Sequence, residues 1–219
     1  MERNNNLAIK EKHSFPLGVG GSMIFSAGLG RRFKPWTDSH PKALAVVNGK
    51  SLLQRNVEYL GQYGIKNVIV NVHHFADQIV ETVERNNGWG SRIIFSDETN
   101  EVLETGGGLL KAKDLLLPNE KFITCNVDIL TDLDLDKLVA FHEKKRPLIS
   151  FAVTKRKTSR YFLFDEDDRL CGWRNTKTNE EKIVIPKNGL VEKAYSCVVV
   201  FEPGVFPLIS FRGKFSLVD

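Results

Sequence analysis

A basic loop with two early glycines carries the residues of this chain that are best suited to bind a phosphorylated ligand. It occupies residues 27–44, and its candidate binding residues are Ala27, Gly28, Gly30, Arg31, Arg32 and Lys42. Glycines let backbone N–H groups approach a ligand closely, and successive amides of this kind form anion-binding nests. An arginine fork matches a phosphate, and a lysine adds a mobile positive charge. The loop therefore predicts phosphate binding, with an ordinary basic surface loop as the alternative.

Two familiar nucleotide-binding motifs do not fit this chain. Residues 49–51 read Gly-Lys-Ser, but a P-loop needs a glycine five positions earlier, where Leu44 stands. The start of the basic loop resembles a dinucleotide fingerprint, but Phe33 replaces the third glycine. Pro35 also keeps the following stretch from continuing as a helix. Neither a P-loop nor a Rossmann dinucleotide site is expected.

The histidines and tryptophans are interpreted as structural or site-lining residues rather than as metal ligands. His73 and His74 follow a predicted strand, but no cysteine or third histidine lies at zinc-ligand spacing, so we interpret them as site-lining or structural. Trp36, Trp89 and Trp173 are expected to be packing residues by default.

The elements that position these residues alternate between strand and helix. Hydrophobic periodicity predicts strands at 23–25, 67–72, 93–95 and 121–125, and helices at 51–63, 75–85, 109–116 and 133–145. After Pro147, four further strands are predicted at 148–153, 161–164, 169–173 and 194–201. This order predicts βαβ units and an α/β fold with a mostly parallel mixed sheet. Ligands of such sheets bind beyond the carboxyl ends of the strands, here after Ser26, Ser96 and Cys125.

Composition narrows the function classes. The chain has 219 residues, 42% of them hydrophobic, and a net charge of +4, which is too mild for a typical nucleic-acid binder. No apolar run approaches the ~18 residues of a membrane span, and the polar residues near Met1 lead us to expect no secretory signal. The three cysteines show no metal or disulfide spacing, which favours a reducing cytoplasm. We expect a flexible leader over residues 1–22 and a single domain over residues 23–219.

The motifs taken together resemble a known family. The pattern Ala-Gly-x-Gly-x-Arg-x-x-Pro-x-Thr, followed by Pro-Lys, begins at Ala27, and a Glu-Thr-Gly-Gly-Gly motif begins at Glu104. A His-His pair at His73 and an Asn-x-Asp motif at Asn126 complete the set. These motifs are similar to those of sugar-1-phosphate nucleotidyltransferases. The branch that they most resemble holds N-acetylmuramate-1-phosphate uridylyltransferases and mannose-1-phosphate guanylyltransferases.

This resemblance implies a fold, a reaction and roles for individual residues. The fold would be the Rossmann-like three-layer nucleotidyltransferase fold. The enzyme would transfer a nucleotidyl group from UTP or GTP (dTTP fits the family less well) to a sugar 1-phosphate, releasing pyrophosphate. Arg32 and Lys42 would be catalytic, with Arg32 on the leaving pyrophosphate and Lys42 near the α-phosphate. The nucleotide would be bound by Ala27, Gly28, Gly30, Arg31, Thr105, Gly106, Gly107 and Asn126, with the two helical glycines against the base.

The remaining implied roles concern the metal and the sugar. Asp128 would hold Mg²⁺, a hard cation that prefers oxygen ligands and keeps several waters. Arg160, Trp173 and Asn175 would bind the sugar. The expected partners are therefore an NTP and a sugar 1-phosphate, and neither a nucleic acid nor a membrane. Assembly of the chain into a homo-oligomer is left as an alternative.

The chain also departs from the family pattern. Members carry a late Trp-x-Asp-x-Gly-Thr strand whose Asp is a second metal ligand, and no such motif occurs before Asp219. We therefore expect a domain that lacks its C-terminal end. The alternative function is a catalytically impaired regulatory module that binds a nucleotide or nucleotide sugar on the same fold.

Overall fold

The computed structural model describes residues 18–218. The strands are β1 (Val19–Phe25), β2 (Val46–Val47), β3 (Lys50–Ser51), β4 (Asn67–Val72), β5 (Arg92–Asp97), β6 (Lys121–Asn126), β7 (Ile149–Thr154), β8 (Arg160–Phe164), β9 (Leu170–Asn175), β10 (Glu180–Ile183) and β11 (Val191–Phe201). The α-helices are α1 (Leu52–Gln62), α2 (Ala76–Arg85), α3 (Glu104–Ala112) and α4 (Leu135–Lys145). No helix among residues 18–218 is long and apolar enough to cross a bilayer.

One mixed sheet organises the molecule. Its strand order is β10-β9-β8-β11-β6-β1-β4-β5, and β7 pairs with β11 beside this path. The strands β6, β1, β4 and β5 run parallel, whereas β11 is antiparallel to β6, β7 and β8. Because the parallel strands end at one edge, the loops after β1, β4 and β6 meet there. The predicted α/β class and mixed sheet are confirmed.

Helices cover both faces of the sheet. Ile24, Val68 and Val70 point to one face, where they pack with residues of α1, α2 and α4. Met23 and Ile69 point to the other face and pack with Leu109 of α3. Successive strand residues alternate between faces, which explains why these runs of apolar residues are buried on both sides. The result is a three-layer arrangement.

The first strand begins earlier than the sequence predicts. It starts at Val19 rather than Met23, so residues 19–22 belong to the domain and the predicted boundary at residue 22 is wrong there. The glycines that suggested a flexible segment are needed for packing instead. A Cβ at Gly20 would collide with the Glu120 side chain, and one at Gly21 would lie 3.0 Å from the Asn67 carbonyl oxygen. The rest of the predicted leader, residues 1–17, lies outside the described residues.

The structure differs from the sequence-based expectation at three other places. The helix predicted over 109–116 runs from Glu104 to Ala112 and then tightens into a 3-10 turn over Lys113–Leu115. The short strand β10 was not predicted, because its residues are all exposed and show no apolar alternation. The basic loop contains three 3-10 turns, over Arg31–Phe33, Trp36–Asp38 and Lys42–Leu44.

Candidate active site

A cleft of about 590 Å³ lies beyond the carboxyl ends of β1, β4 and β6. Residues of all three strand ends line it, together with the start of α3. Its lining includes Ala27, Gly28, Gly30, Arg31, Arg32, Lys42, Thr105, Asn126 and Asp128. The fold thus brings together most of the residues that the sequence assigns to the nucleotide, the catalytic groups and the metal. The volume is in the range of small-ligand sites.

The glycine loop is shaped by a left-handed residue and a threonine. Gly30 has φ 60° and ψ 28°, a conformation that side-chain-bearing residues rarely adopt. A Cβ there would also lie 2.8 Å from the Thr37 side chain, whose hydroxyl donates to the Gly30 carbonyl at 3.0 Å. This close packing turns the chain so that Arg31 and Arg32 line the cleft.

Lys42 and Asp128 form an ion pair in the cleft. The Lys42 ammonium donates to one carboxylate oxygen of Asp128, and the side chains are 25% and 35% exposed. Pro41 precedes the 3-10 turn that carries Lys42, and the turn is closed by a bond from the Leu44 amide to the Pro41 carbonyl at 3.0 Å. The cation expected to bind a phosphate and the anion expected to bind a metal therefore satisfy each other in this structure.

The donor set at Asp128 fits a magnesium ion only in part. Among residues 18–218 no group of three or more histidine, cysteine, aspartate or glutamate side chains comes together. One carboxylate at the mouth of a phosphate-binding cleft suits a cation that takes its other ligands from phosphate oxygens and water. The chemistry of the site is therefore compatible with Mg²⁺ shared between the protein and a bound triphosphate.

A second cavity of about 380 Å³ opens from the first. Both are lined by Phe25, Arg32, Thr105, Asn126 and Ser216, so they adjoin at these residues. Arg160 and Trp173, predicted to bind a sugar, line the second cavity, as do Arg156, Tyr195 and Cys197. No aspartate or glutamate is among the lining residues. The second cavity is therefore a cationic and aromatic chamber next to the larger cleft.

A bulge in β11 brings Cys197 into this second cavity. Its register with β7 shifts between Tyr195 and Val199, and Cys197 has φ 61°, a strained value for a residue with a side chain. Burial raises the pKa of the Cys197 thiol to about 11, and the negative charge of Asp128 adds to this effect. The thiol is therefore neutral near pH 7.

Three predicted site residues lie outside both cavity linings. Gly106 and Gly107 are covered by the C-terminal segment, because both amides donate to the Phe215 carbonyl, at 2.9 and 3.2 Å. A Cβ at Gly106 would overlap the Phe215 ring. Asn175 is buried in β9, and its side-chain oxygen accepts from the Lys177 amide at 3.1 Å. These contacts explain the two glycines and Asn175 by packing and turn formation.

Sequence reasoning missed several buried polar residues that hydrogen-bond to the segments lining the cleft. Asn56 on α1 is buried and donates to the Val127 carbonyl at 2.9 Å, which fixes the loop carrying Asp128. Asn71 lines the cleft and is buried within the apolar strand β4. Glu98 is buried just after β5. The sequence signal for Asn56 and Asn71 is a polar residue at a position where the apolar pattern of the helix or strand predicts burial.

The two histidines take structural positions. His73 Nδ1 lies 2.6 Å from the Glu98 carbonyl oxygen. The His74 ring packs against Phe75, with the ring centroids 4.0 Å apart. Neither histidine is among the lining residues of the two cavities.

The family comparison agrees with this geometry. The family model for nucleotidyl transferases matches residues 21–193, which is most of the chain. The chain belongs to the nucleotidyl transferase family, and the family resemblance of its motifs is confirmed.

Curated relatives carry more specific names. The N-acetylmuramate alpha-1-phosphate uridylyltransferase of Caulobacter vibrioides is 38% identical over 109 residues, covering 49% of this chain and 45% of the relative. The mannose-1-phosphate guanylyltransferase catalytic subunit beta of Drosophila pseudoobscura pseudoobscura is 31% identical over 196 residues, covering 87% of this chain and 50% of the relative. The chain spans about half the length of these relatives.

Solved structures share the fold. HddC from Yersinia pseudotuberculosis, crystallised in complex with GMP-PN, matches with a TM-score of 0.72 at 23% identity, over 91% of this chain and 84% of that one. A putative glucose-1-phosphate thymidylyltransferase from Bacillus anthracis matches with a TM-score of 0.74 at 13% identity, over 91% and 80%. The Rossmann-like three-layer fold predicted from the motifs is confirmed.

Proposed function

We propose that this protein transfers a nucleotidyl group from UTP or GTP to a sugar 1-phosphate. The observation that carries the proposal is the pair of adjoining cavities, which meet at Arg32 and Asn126. A bisubstrate reaction needs two such chambers with the reacting atoms at their junction. The names of the relatives support the same substrate classes.

The nucleotide would occupy the larger cleft. In this proposal the glycine loop and Arg31 bind the triphosphate, Asn126 contacts the ribose, and Thr105 lies on the side of the base. Gly106 and Gly107 contribute by letting the chain behind the base pack closely. The basic loop has no acidic partner for Arg31 or Arg32 among the described residues, so both guanidinium groups are available to an anion.

The reaction is a displacement at the α-phosphorus. A phosphate oxygen of the sugar 1-phosphate would form a bond to the α-phosphorus while the bond to the β-phosphate oxygen breaks, and pyrophosphate would leave. We assign Arg32 to the charge that develops on the pyrophosphate and Lys42 to the α-phosphate. Such groups act by positioning and by stabilising charge, since no covalent enzyme intermediate is needed.

The sugar phosphate would enter from the second cavity. Arg160 offers a guanidinium for the phosphate or the sugar hydroxyls, and Trp173 offers an apolar ring face. Asp128 would hold a magnesium ion, which when bound neutralises part of the phosphate charge. The three free thiols of the described residues support our proposal that the protein works in a reducing cytoplasm.

A pyrophosphate-release assay tests this proposal. Purified protein would be incubated with Mg²⁺ and each pairing of UTP, GTP or dTTP with a panel of sugar 1-phosphates. We expect pyrophosphate from at least one pairing and none when either substrate is left out. NTP binding without pyrophosphate release from any pairing would reject the proposed activity and favour a binding module.

A further inference from the structure

Two buried polar residues connect the nucleotide-side segments. Asn71 of β4 is 2% exposed and Glu98, just after β5, is 1% exposed. The proposed reaction assigns no role to either side chain. A buried carboxylate is costly unless hydrogen bonds compensate it, so its partners indicate what it is for.

Asn71 holds the start of the glycine loop. Its side-chain oxygen accepts from the amides of Ser26 and Ala27, at 2.6 and 3.3 Å. These two residues follow β1 directly and lead into the phosphate-binding loop. Its side-chain nitrogen donates to a carboxylate oxygen of Glu98 at 2.7 Å.

Glu98 extends the connection to α3. Its second carboxylate oxygen accepts from the Leu103 amide at 3.1 Å, immediately before the helix begins. Its backbone is fixed as well, because its amide donates to the Val72 carbonyl at 2.7 Å. One continuous row of hydrogen bonds therefore runs from Ser26 and Ala27 to Leu103.

Gly108 leaves room for this row. A Cβ at Gly108 would lie 2.7 Å from the bonded Glu98 oxygen and 3.0 Å from the Asn71 side-chain nitrogen. The third glycine of the Glu-Thr-Gly-Gly-Gly motif is thereby explained by the two buried side chains.

We propose that Asn71 and Glu98 form a clamp, the Asn71–Glu98 clamp, that sets the position of the phosphate loop relative to the start of α3. This inference rests on the proposed function, in which those two segments bind the same nucleotide. Both residues are positioning residues. The clamp keeps the two segments at the spacing that the triphosphate and the base require before the nucleotide arrives.

The polarity of the clamp makes it testable. Both ends are backbone donors, so both side chains must accept at their outer ends and share one donor between them. Asn with Glu satisfies this condition, and so does Asp with Gln. Asn with Gln leaves one donor unpaired, and Asp with Glu sets two carboxylates against each other. The N71D/E98Q double variant is therefore expected to repair what each single substitution breaks.

The experiment compares the wild type, N71D, E98Q and the double variant by two readouts. In nucleotide-free protein, amide hydrogen exchange is measured at Ser26, Ala27 and Leu103. In the enzymatic assay, the NTP KM and kcat are measured separately. Each single variant is expected to exchange about tenfold faster or more at these amides and to show a comparable rise in NTP KM. The double variant is expected to return toward wild type in both.

Ser150→Ala is the matched control. Ser150 makes another buried side-chain bond, to His142 at 2.9 Å, and lines neither of the two cavities. This variant is expected to lower Tm with the NTP KM unchanged, which separates positioning from general destabilisation. If the single variants do not fold, recovery of folding in the double variant supports the clamp.

Two results would overturn the clamp: single variants that exchange and bind like wild type, or a double variant no better than the worse single one. The exchange readout needs no activity. Absence of pyrophosphate release in the wild type would thus reject the proposed function, while the exchange rates would still decide the clamp.

Discussion

Two sets of side-chain interactions near the proposed site differ in burial, one behind the nucleotide side and one on the outer strands of the sugar side. On the nucleotide side, buried amide and carboxylate groups of Asn56, Asn71 and Glu98 bond to the backbone of neighbouring segments. On the sugar side, Arg174 makes ion pairs with Glu181 and Glu192, and all three side chains are more than a third exposed. Buried bonds to backbone fix a geometry, whereas exposed ion pairs contribute little to stability.

This difference suggests a division of labour within the proposed enzyme. The nucleotide chemistry requires the same arrangement of phosphates in every turnover, and a rigid frame suits it. The sugar chamber is framed by the antiparallel strands β8–β10. Exposed ion pairs on these strands can be lost with little loss of stability. We therefore infer that substitutions on the two sides will have different consequences.

The largest expected effect is on turnover, from Arg32→Ala or Lys42→Ala. Arg32 lies at the junction of the two cavities and Lys42 lines the larger cleft. Loss of one such cation costs about 2.7–4 kcal/mol of transition-state stabilisation, or roughly 10²–10³ in rate. The pyrophosphate-release assay measures the effect, and circular dichroism checks the fold. Arg174→Ala, an exposed arginine outside both cavity linings, is the control. Near-normal rates in the first two variants would remove these residues from the mechanism.

A smaller and more selective effect is expected from Arg160→Ala. Arg160 lines the second cavity but not the first. A hydrogen bond to a charged group is worth about 1.5–3 kcal/mol, so the KM for the sugar 1-phosphate should rise by about tenfold or more. The KM for the NTP should stay unchanged. An equal rise in both constants would contradict separate chambers.

The third prediction compares stability on the two sides directly. Asn56→Ala leaves the buried Val127 carbonyl without its side-chain donor and should lower the free energy of unfolding by about 1–3 kcal/mol. Arg174→Ala removes exposed ion pairs and should cost about 0–1 kcal/mol. Urea unfolding of both variants measures the difference. Equal losses would remove the contrast between the two sides.

The last prediction concerns alkaline pH. Burial raises the pKa of the Cys125 thiol from 9.0 to about 12 and that of Cys197 to about 11. Because each folded-state pKa is raised, the neutral thiol contributes stability below pH 9 that is lost as the pH rises. The free energy of unfolding should therefore fall above pH 9, by at most about 1.4 kcal/mol per pH unit for each thiol.

Cysteine variants test the origin of this pH dependence. Cys125→Ala should flatten the alkaline decline more than Cys197→Ala, because the pKa of Cys125 is raised further. Urea unfolding at several pH values above 9 would show it, and an unchanged slope in Cys125→Ala would contradict the assignment.

Much of the parallel half of the fold could be predicted from the sequence. The strand Asn67–Val72 matches its prediction, α1 is one residue shorter than predicted at each end, and α2 begins one residue later than predicted. These elements have strong apolar periodicity, and the capping Ser51 and the following Gly64 mark the ends of α1. The β10 strand could not be predicted, because it is held by backbone pairing with β9 and buries no side chain of its own.

Some residues of the candidate site could likewise be predicted from the sequence, and others could not. Arg32 and Lys42 became candidates as cations in a glycine-containing loop, whereas Asp128 was singled out only by its place in the family's Asn-x-Asp motif. The buried supports Asn56 and Glu98 are ordinary residues whose importance depends on which distant backbone groups they meet. Glycines were the ambiguous case, since Gly30 shapes the loop whereas Gly106 makes room for Phe215. Only the folded chain distinguishes these two uses.

The most direct test of nucleotidyl transfer is to follow the α-phosphate of the NTP. The protein would be given UTP or GTP labelled with ³²P at either the α- or the γ-position, together with the sugar 1-phosphate that releases most pyrophosphate. We expect the α-label in a nucleotide sugar and the γ-label in pyrophosphate. Transfer of the γ-label to the sugar, or no labelled sugar product with any pairing, would contradict it.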